Sequence, residues 1–250
     1  MPLEQFLENI TLEELEELRR LKELQNNSIR NYSFSKITFK ELKSIVNLKR
    51  VYNNEIFLNW FNNKIVLEEE TISFLKELID DNIFLIHSYK EEDLKVKFLT
   101  PILNKIKFLD FKNNLRDFYN ARLRYETDNF ILNGETDFLL SKGLEEAEEP
   151  YFFIQEFKKG KTNSDPEPQL LAELISGVEL NNWKTIKGAF IIGAIWNFVI
   201  LEKVGKDKYH YFVSENFDST KIYDLKGIYK NLMFVKNEIT EMIQKENKEN

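Results

Sequence analysis

Residues 151–158 of this chain read YFFIQEFK, a near-continuous apolar run that is typical of a strand buried on both faces of a sheet. Glu156 and Lys158 interrupt the run close to its end. Residues two apart on a strand point to the same side, so these two charged side chains share one face. Burying a carboxylate and an ammonium costs free energy unless they are paired or bound to a metal ion. The stretch therefore predicts an internal strand that carries a charged pair.

The spacing of Glu156 and Lys158 carries little information by itself. The same pattern of an acid, any residue and a lysine occurs at five other places: Glu41-Lys43, Asp93-Lys95, Asp110-Lys112, Asp224-Lys226 and Glu246-Lys248. Those five lie in predicted helices or exposed loops, whereas Glu156 and Lys158 interrupt a core strand. Two interpretations stay open: an ion pair that stabilises the end of a sheet, or a functional site.

The segments around this strand predict a mixed α/β fold. Ser88 and Glu91 form a capping box that begins a helix, and Pro101 in its interior predicts a bend. Another helix is expected to begin at Asp165-Pro166. From residue 88 the predicted order is helix, three strands, helix and strand, followed by further strands and a last helix over 224–243. The strands are predicted at residues 116–126, 130–140, 151–158, 186–192, 195–203 and 209–213.

The first 87 residues predict an acidic helical extension, ahead of a main domain over 88–243 and a charged, frayed tail over 244–250. Capping boxes at Thr11 with Glu14 and at Thr38 with Glu41 begin two helices, and a third is expected near residues 68–79. Residues 1–20 carry six Glu against two Arg. We expect this extension to pack on the rest as a helical cap or to form the surface of a homodimer.

Composition excludes several classes of chemistry. The 250 residues include no Cys, two His and eight Gly, and they contain no GxGxxG, GxxxxGK[ST], GxSxG or HExxH motif. Thiol catalysis, Cys-ligated metal sites and glycine-rich phosphate loops are therefore not expected. With no visible signal peptide and no apolar run long enough for a bilayer, we expect a cytoplasmic protein without a membrane partner.

Three segments together resemble the PD-(D/E)XK nuclease superfamily. They are residues 91–103 (EEDLKVKFLTPIL), 134–138 (GETDF) and 155–158 (QEFK). The first is similar to the opening helix of the nuclease domain in type I restriction enzyme motor subunits. The resemblance covers roughly residues 88–202 and implies a restriction-endonuclease-like αβββαβ core. The Pro that this family carries beside its Asp is replaced here by Thr136.

The resemblance implies roles for particular residues. Asp137 matches the metal-binding Asp, and Glu156 and Lys158 match the (D/E)-x-K strand. Gln169, at the opening of the next helix, has a counterpart in many members. A Glu near the start of the first helix joins the site in the motor subunits. Glu91 is one candidate, and Glu92 is preferred if Glu91 only closes the capping box.

The implied chemistry agrees with the residue types. Carboxylates of Asp137 and Glu156 on adjacent strands, together with the carbonyl of Phe157, offer hard oxygen ligands suited to Mg²⁺ or Mn²⁺. A bound cation would acidify a water and stabilise charge developing on a phosphodiester. Lys158 would orient that water or compensate the charge of the phosphorane.

Basic residues near these segments are candidates for phosphate contacts. Between residues 95 and 130 eight Lys and Arg outnumber four Asp and Glu, although the whole chain has a net charge of -7. Ordinary surface charge is the equal alternative for the four candidates, which are Arg122, Arg124, Lys159 and Lys161. Glu135 shares the side of Asp137 and is a weaker candidate. We expect Trp196 and Phe198 in the core and both His in structural roles.

These observations predict a metal-dependent nuclease that hydrolyses phosphodiester bonds in nucleic acid, with DNA the expected substrate. Whether it acts as an endonuclease or an exonuclease stays open. The alternative is a catalytically inactive nuclease fold that serves as a binding or assembly module. An enzyme for small phosphate esters is less favoured, because the basic stretch suits an extended polyanion.

Overall fold

The computed structural model describes residues 10–26, 29–160 and 165–249, and these form a mixed α/β fold with a nine-stranded sheet. The helices are α1 (Leu12–Asn26), α2 (Phe39–Ile45), α3 (Leu58–Phe61), α4 (Glu69–Asn82), α5 (Glu91–Leu94), α6 (Thr100–Ile106), α7 (Pro166–Leu180) and α8 (Ile222–Glu249). The strands are β1 (Arg30–Ser33), β2 (Asn47–Arg50), β3 (Leu115–Glu126), β4 (Phe130–Lys142), β5 (Glu148–Lys158), β6 (Thr185–Ile192), β7 (Ile195–Gly205), β8 (Lys208–Val213) and β9 (Phe217–Asp218). Short 3₁₀ turns cover Phe34–Lys36 and Asn54–Phe57.

The sheet has the strand order β1-β4-β5-β6-β7-β8-β2, with β3 paired to β4 and β9 to β7. Strands β3, β4 and β5 form an antiparallel meander, and β5 then pairs in parallel with β6 through the crossover helix α7. Helix α7 packs against β5 and β6 and also contacts β3. The sheet therefore curls around α7, and the N-terminal end of that helix lies beside the end of β5.

Two apolar clusters cover the two faces of the sheet. Helices α4, α6 and α8 pack on one face, where Phe153 and Phe157 of β5 are buried, and α7 packs on the other, where Ile154 is buried. Strand β5 therefore buries both faces, as its apolar run predicts. Trp196 and Phe198 lie in the first cluster, as expected for core residues.

The element order predicted from residue 88 is present: a helical segment, β3, β4, β5, α7 and β6 follow one another. The predicted break between the strands at 116–126 and 130–140 is confirmed, because β3 ends at Glu126 and β4 begins at Phe130. The helix start at Asp165 is also confirmed, since Asp165 caps α7 by accepting from the Glu167 amide at 3.1 Å. The capping box of Thr38 with Glu41 is confirmed at α2.

The prediction that the first 87 residues are all helical is wrong at two places. Strands β1 and β2 join the sheet, where β1 pairs in parallel with β4 and β2 with β8. Each has only four residues and is rich in Asn, Lys and Arg, so neither shows the alternation that marks a strand in sequence. Their pairing partners, β4 and β8, are distant in the chain. The two strands form because the unpaired backbone groups of these partners are available for hydrogen bonds.

The capping box predicted at Ser88 with Glu91 is also wrong. Helix α5 begins at Glu91, and its cap is Lys90, whose amide donates to the Asp93 carboxylate at 3.3 Å. A π-helical segment over Lys95–Leu99 joins α5 to α6. Pro101 follows this segment in the first turn of α6. Proline has no amide donor, and the wider π-helical turn before it accommodates the hydrogen bond that is lost.

Helix α8 is longer than predicted. It runs to Glu249, whereas the sequence predicts a frayed tail from residue 244. Lys142 contacts Glu246 at 3.2 Å, which joins this end of α8 to β4. In the part of the chain that the structure describes, no helix is both long and apolar enough to cross a membrane.

A glycine sets the distance between α7 and the sheet. A Cβ added at Gly188 of β6 would lie 2.7 Å from the Ile154 carbonyl oxygen and 3.0 Å from a Leu174 methyl group of α7. Both neighbours are buried and cannot move away cheaply. The close approach of α7 to β5 and β6 therefore requires glycine at this position.

We expect Gly188→Ala to lower the free energy of unfolding by roughly 1 to 3 kcal/mol, because the added methyl overpacks the layer between α7 and the sheet. The matched control is Gly205→Ala in β7, where the nearest atom to an added Cβ is a Lys208 side-chain carbon at 3.6 Å. Urea unfolding of both variants measures the difference. Equal midpoints would contradict the role of Gly188 as a spacer.

Candidate functional site

Asp137 lies where the ladder between β4 and β5 ends. The last paired residues are Phe138 and Gln155, so Asp137 and Glu156 face each other one position beyond the ladder. The Asp137 Oδ2 atom accepts a hydrogen bond from the Phe157 amide at 2.8 Å. A side-chain carboxylate thus replaces the main-chain acceptor at this point. The sequence places Asp137 near the end of its strand, whereas it lies inside β4, at the end of the pairing with β5.

Glu156 and Lys158 share a face of β5, as their spacing predicts, and their side chains form an ion pair. The Lys158 Nζ also lies 4.0 Å from Asp137 Oδ2. The Glu156 side chain has no exposed surface, and its Oε2 atom has no hydrogen-bond partner among the described residues. The ion pair that the first interpretation requires is present, and an unsatisfied carboxylate oxygen lies beside it.

Lys95 is a member of the site that the sequence analysis missed. It lies in the π-helical segment, and its Nζ is 2.7 Å from Asp137 Oδ1 and 3.7 Å from Glu92 Oε1. Its ammonium also lies over the Phe157 ring, 5.7 Å from the centroid. No sequence signal separates Lys95 from the other lysines of a charged helix. Only the packing of that helix against β4 and β5 selects it.

Helix α7 contributes Gln169, which the sequence predicts, and Glu173, which it does not. Both side chains are buried, and Gln169 Nε2 donates to Glu173 Oε1 at 3.0 Å. Glu173 interrupts the apolar stripe of α7 as Glu156 interrupts the apolar run of β5. The same signal, a charge within a core segment, could have found it.

Burial shifts the ionisation of this cluster. Burial, and then the neighbouring Asp137 carboxylate, raise the pKa of Glu156 to about 9. Burial and the Glu156 carboxylate raise the pKa of Glu173 well above its usual range. Burial opposes the charge of Lys158, but Glu156 and Asp137 outweigh it and raise the pKa of this ammonium. The site thus holds three carboxyl groups beside two lysines, and burial opposes ionising all three acids.

The two candidate glutamates at the start of α5 have different surroundings. The Glu91 carboxylate accepts from the Lys159 amide at 3.3 Å, so it contacts the end of β5 instead of capping its own helix. The side chain of Glu92 is 80% exposed and faces Lys95. Glu92 is preferred as the metal ligand only if Glu91 caps its own helix. Glu91 does not cap the helix, so that preference no longer holds. Of the two glutamates, Glu91 is the one that contacts the end of β5.

A cleft of about 620 Å³ opens above the charged cluster. Asp137, Glu156, Lys158 and Gln169 line it together with Arg122, Arg124 and Glu135 from the β3–β4 hairpin. The two arginines are paired with acids, Arg122 with Glu135 at 3.2 Å and Arg124 with Glu126 at 2.6 Å. Lys159 contacts the site through its amide, and Lys161 lies outside the described residues.

The oxygen atoms present fit a hard divalent cation. Besides Asp137 and Glu156, the Phe157 carbonyl faces the gap beside β4, because the N–H and C=O of a strand residue point to the same neighbouring strand. Mg²⁺ is typically held by one or two carboxylates and keeps several waters. Across residues 10–26, 29–160 and 165–249 no group of three or more acidic or His side chains is arranged to hold a metal ion. The fit is therefore to two carboxylates, a main-chain oxygen and waters.

Comparisons with known proteins add no further information on this site. No protein-family model matches the chain, and no curated protein sequence matches it significantly.

We expect the stability of the protein to fall as pH rises from about 5 to 8, with a contribution from Glu156 of up to about 1.4 kcal/mol per pH unit. The raised pKa means that the folded state holds a proton which the unfolded state has lost at these pH values. Glu156→Gln removes this contribution, so its urea unfolding curves should depend less on pH than those of the parent.

The control is Glu135→Gln, which neutralises a carboxylate that is 53% exposed on the neighbouring strand and should follow the parent. If Glu156→Gln instead loses roughly 3 to 5 kcal/mol at every pH, Glu156 is an ionised partner of Lys158 with a structural role.

Proposed function

We propose that this protein is a metal-dependent nuclease that hydrolyses phosphodiester bonds, with DNA as its substrate. The observation that carries the proposal is the convergence of Asp137, Glu156 and Lys158 where the β4–β5 ladder ends, at the wall of an open cleft. Two carboxylates and an ammonium at one point are costly to bury. Binding of a cation and a phosphate would explain why the protein keeps these groups here despite the free-energy cost of burying them.

The order and pairing of the elements support the resemblance to the PD-(D/E)XK nucleases. A helical segment, the meander β3-β4-β5, the crossover helix α7 and the parallel strand β6 follow the order of that family's core. Asp137 and Glu156 lie on the two adjacent strands where the family carries its metal ligands. We therefore propose a restriction-endonuclease-like core extended by β1, β2, β7, β8 and β9.

The mechanism assigns a task to each side chain. Asp137, Glu156 and the Phe157 carbonyl would hold Mg²⁺ or Mn²⁺, with Glu91 or Glu92 bordering the same place. When bound, the cation supplies an acidified water and positive charge for the phosphoryl oxygens. Lys158 lies within reach of both carboxylates and stabilises the charge that develops on the phosphate. Gln169 of α7 lines the same cleft.

The surroundings of the cleft favour an extended polyanion. Arg122 is 87% exposed and Arg124 is 55% exposed, and both border the cleft on the β3–β4 hairpin. Exposed guanidinium groups can exchange a surface acid for a phosphate oxygen at low cost, because exposed ion pairs contribute little stability. The absence of Cys agrees with the reducing cytoplasm that we propose as its compartment.

One observation favours the alternative of an inactive binding module. Lys95 and Lys158 already contact Asp137 and Glu156, so the lysines offset part of the carboxylate charge without a cation. A nuclease fold that had lost its metal would gain from such pairing. The response of the protein to divalent cations separates the two functions.

We expect the purified protein to cleave DNA when Mg²⁺ or Mn²⁺ is present and to lose this activity in EDTA. Asp137→Ala, Glu156→Ala and Lys158→Ala should each lower the cleavage rate roughly 100-fold or more, because each removes an electrostatic contact to the reacting phosphate or its cation. Labelled single-stranded and duplex DNA and RNA serve as substrates.

The matched control is Glu126→Ala, which removes an exposed carboxylate of β3 outside the charged cluster and should cleave like the parent. Mn²⁺ should also raise the melting temperature of the parent by mass action but not that of Asp137→Asn. No cleavage and no cation-dependent melting shift would favour the binding module. Equal cleavage by parent and all three variants would assign the activity to another site.

We expect the double charge reversal Arg122→Glu with Arg124→Glu to weaken DNA binding and to reduce its dependence on salt concentration. For each phosphate contact that is lost, binding releases one fewer counterion from the DNA. The negative slope of log K against log salt therefore becomes shallower by about 0.9 per contact for duplex DNA. Binding in EDTA by fluorescence anisotropy over a salt series measures both effects.

The control is Glu13→Lys with Glu16→Lys, which adds positive charge to the acidic helix α1. It should leave the affinity and the salt slope of the parent unchanged. If this control changes binding as much as the arginine variant does, DNA does not lie along the cleft.

A further inference from the structure

We propose that the hydroxyl groups of Ser33 and Ser35 form a subsite that binds a phosphate of the nucleic acid, at a nucleotide other than the one that is cleaved. This inference rests on the proposed nuclease function and adds to its substrate site a part that the N-terminal extension supplies. The donors are neutral hydroxyls, in contrast to the guanidinium groups of the β3–β4 hairpin.

The cleft opens at a gap along one edge of β4. Strand β3 pairs with the other edge over residues 131–142, so β1 and β5 share this edge. Strand β1 covers residues 130–133 and β5 covers residues 138–142. Between them, residues 134–137 have no strand paired to this edge in the part of the chain that the structure describes. Ser33, the last residue of β1, therefore borders the cleft from the end opposite to β5.

Burial of Phe34 fixes the position of the two serines. Phe34 is fully buried and packs on Gly134 of β4, where an added Cβ would lie 2.9 Å from the Phe34 ring. The 3₁₀ turn can lie this close to β4 only because residue 134 has no side chain. Ser33 is half-buried and Ser35 is exposed, and both line the cleft. The buried ring thus holds a hydroxyl on each side of it at the surface of the cleft.

The two hydroxyls present a hydrogen-bond donor to the cleft. Ser33 Oγ lies 3.1 Å from Ser35 Oγ, so one hydroxyl donates to the other. Ser33 precedes the 3₁₀ turn, but its hydroxyl makes no capping hydrogen bond within the described residues. Each hydroxyl has one proton, and the bond between the serines uses one of the two. The second proton is available to an acceptor in the cleft, and a phosphate oxygen is the acceptor that a nucleic acid brings.

The subsite lies apart from the carboxylates of the site. Ser33 pairs with Asn133, and Asp137 lies four residues further along β4, which is about 13 Å along the strand. One phosphate group is too small to contact both places. A nucleic acid that follows the gap would be cleaved beside Asp137 and held at the serines through a different phosphate. Only an extended substrate reaches both places, which agrees with the polyanion that the exposed arginines favour.

The test compares DNA binding by the parent, by the double variant Ser33→Ala with Ser35→Ala and by Ser35→Asp, using fluorescence anisotropy in EDTA over a salt series. We expect the dissociation constant of the double variant to rise roughly tenfold, because a hydrogen bond to a charged phosphate is lost. Neutral hydroxyls release no counterions, so the double variant should keep the salt slope of the parent. Ser35→Asp adds a negative charge beside the phosphate and should bind DNA more weakly still.

Cleavage kinetics separate a subsite from a catalytic role. With Mn²⁺ we expect the double variant to raise KM and leave kcat unchanged, because the lost contact holds ground state and transition state equally. The matched controls are Ser44→Ala and Ser44→Asp in α2, where the exposed hydroxyl donates to the Glu41 carbonyl at 2.6 Å, away from the described cleft lining. Both should bind DNA like the parent. If the double variant does not fold, Ser35→Asp at the exposed position decides the question.

The outcomes distinguish this inference from the proposed function. Parental affinity in the double variant and in Ser35→Asp, with cleavage by the parent intact, would overturn the subsite and leave the nuclease assignment standing. A fall in kcat with KM unchanged would place the serines at the reacting phosphate and also overturn the subsite. If the parent binds DNA but cleaves none, the nuclease function fails and the dissociation constants alone decide the subsite. A parent that neither binds nor cleaves any nucleic acid would overturn both.

Discussion

The structure around the cleft depends on one hydrogen bond, from the Phe157 amide to the Asp137 carboxylate. At this point the ladder between β4 and β5 ends, although both strands continue. A main-chain acceptor on β4 would have continued the pairing and closed the gap between the strands. The carboxylate satisfies the amide instead, which keeps a buried donor paired while the strands separate. The separation admits Lys95 from the opposite face of the sheet and opens the cleft above Glu156.

The ionisable groups around this gap affect one another strongly. Three carboxyl groups, those of Asp137, Glu156 and Glu173, lie near the ammonium groups of Lys95 and Lys158. Burial disfavours ionising all three acids, and each ionised acid disfavours the next, which raises the pKa of Glu156 and Glu173. A cluster of this kind responds to an added cation more strongly than an exposed acidic patch does, because there is little water to screen the charges. For this reason we propose that the cation-binding site lies here and not on the acidic helices.

The sequence predicts the strands and the helix that carry the site better than it predicts all of the side chains that surround it. Strands β4 and β5, helix α7 and their order follow from alternation, an apolar run and a capping Asp, all of which are local signals. Asp137, Glu156 and Lys158 are predicted from a resemblance and from the cost of charge in a core strand, and the structure brings them together. Lys95 and Glu173 are not identified as site residues in this way. Lys95 resembles the lysines around it, and Glu173 follows Gln169 by one helical turn, a spacing that is common on solvated helices.

The sequence by itself determined which segments form the central meander and crossover, because hydrophobic periodicity, turn residues and helix caps act over a few neighbouring positions. It also determined that two ionisable side chains, Glu156 and Lys158, lie on the buried strand β5. The tertiary structure alone decided that β1 and β2 join the sheet and that Pro101 follows a π-helical segment. It also decided that Lys95 and Glu173 face Asp137 and Glu156. These features depend on contacts between residues far apart in the chain, and such contacts form only once the sheet curls around α7 and sets which side chains meet.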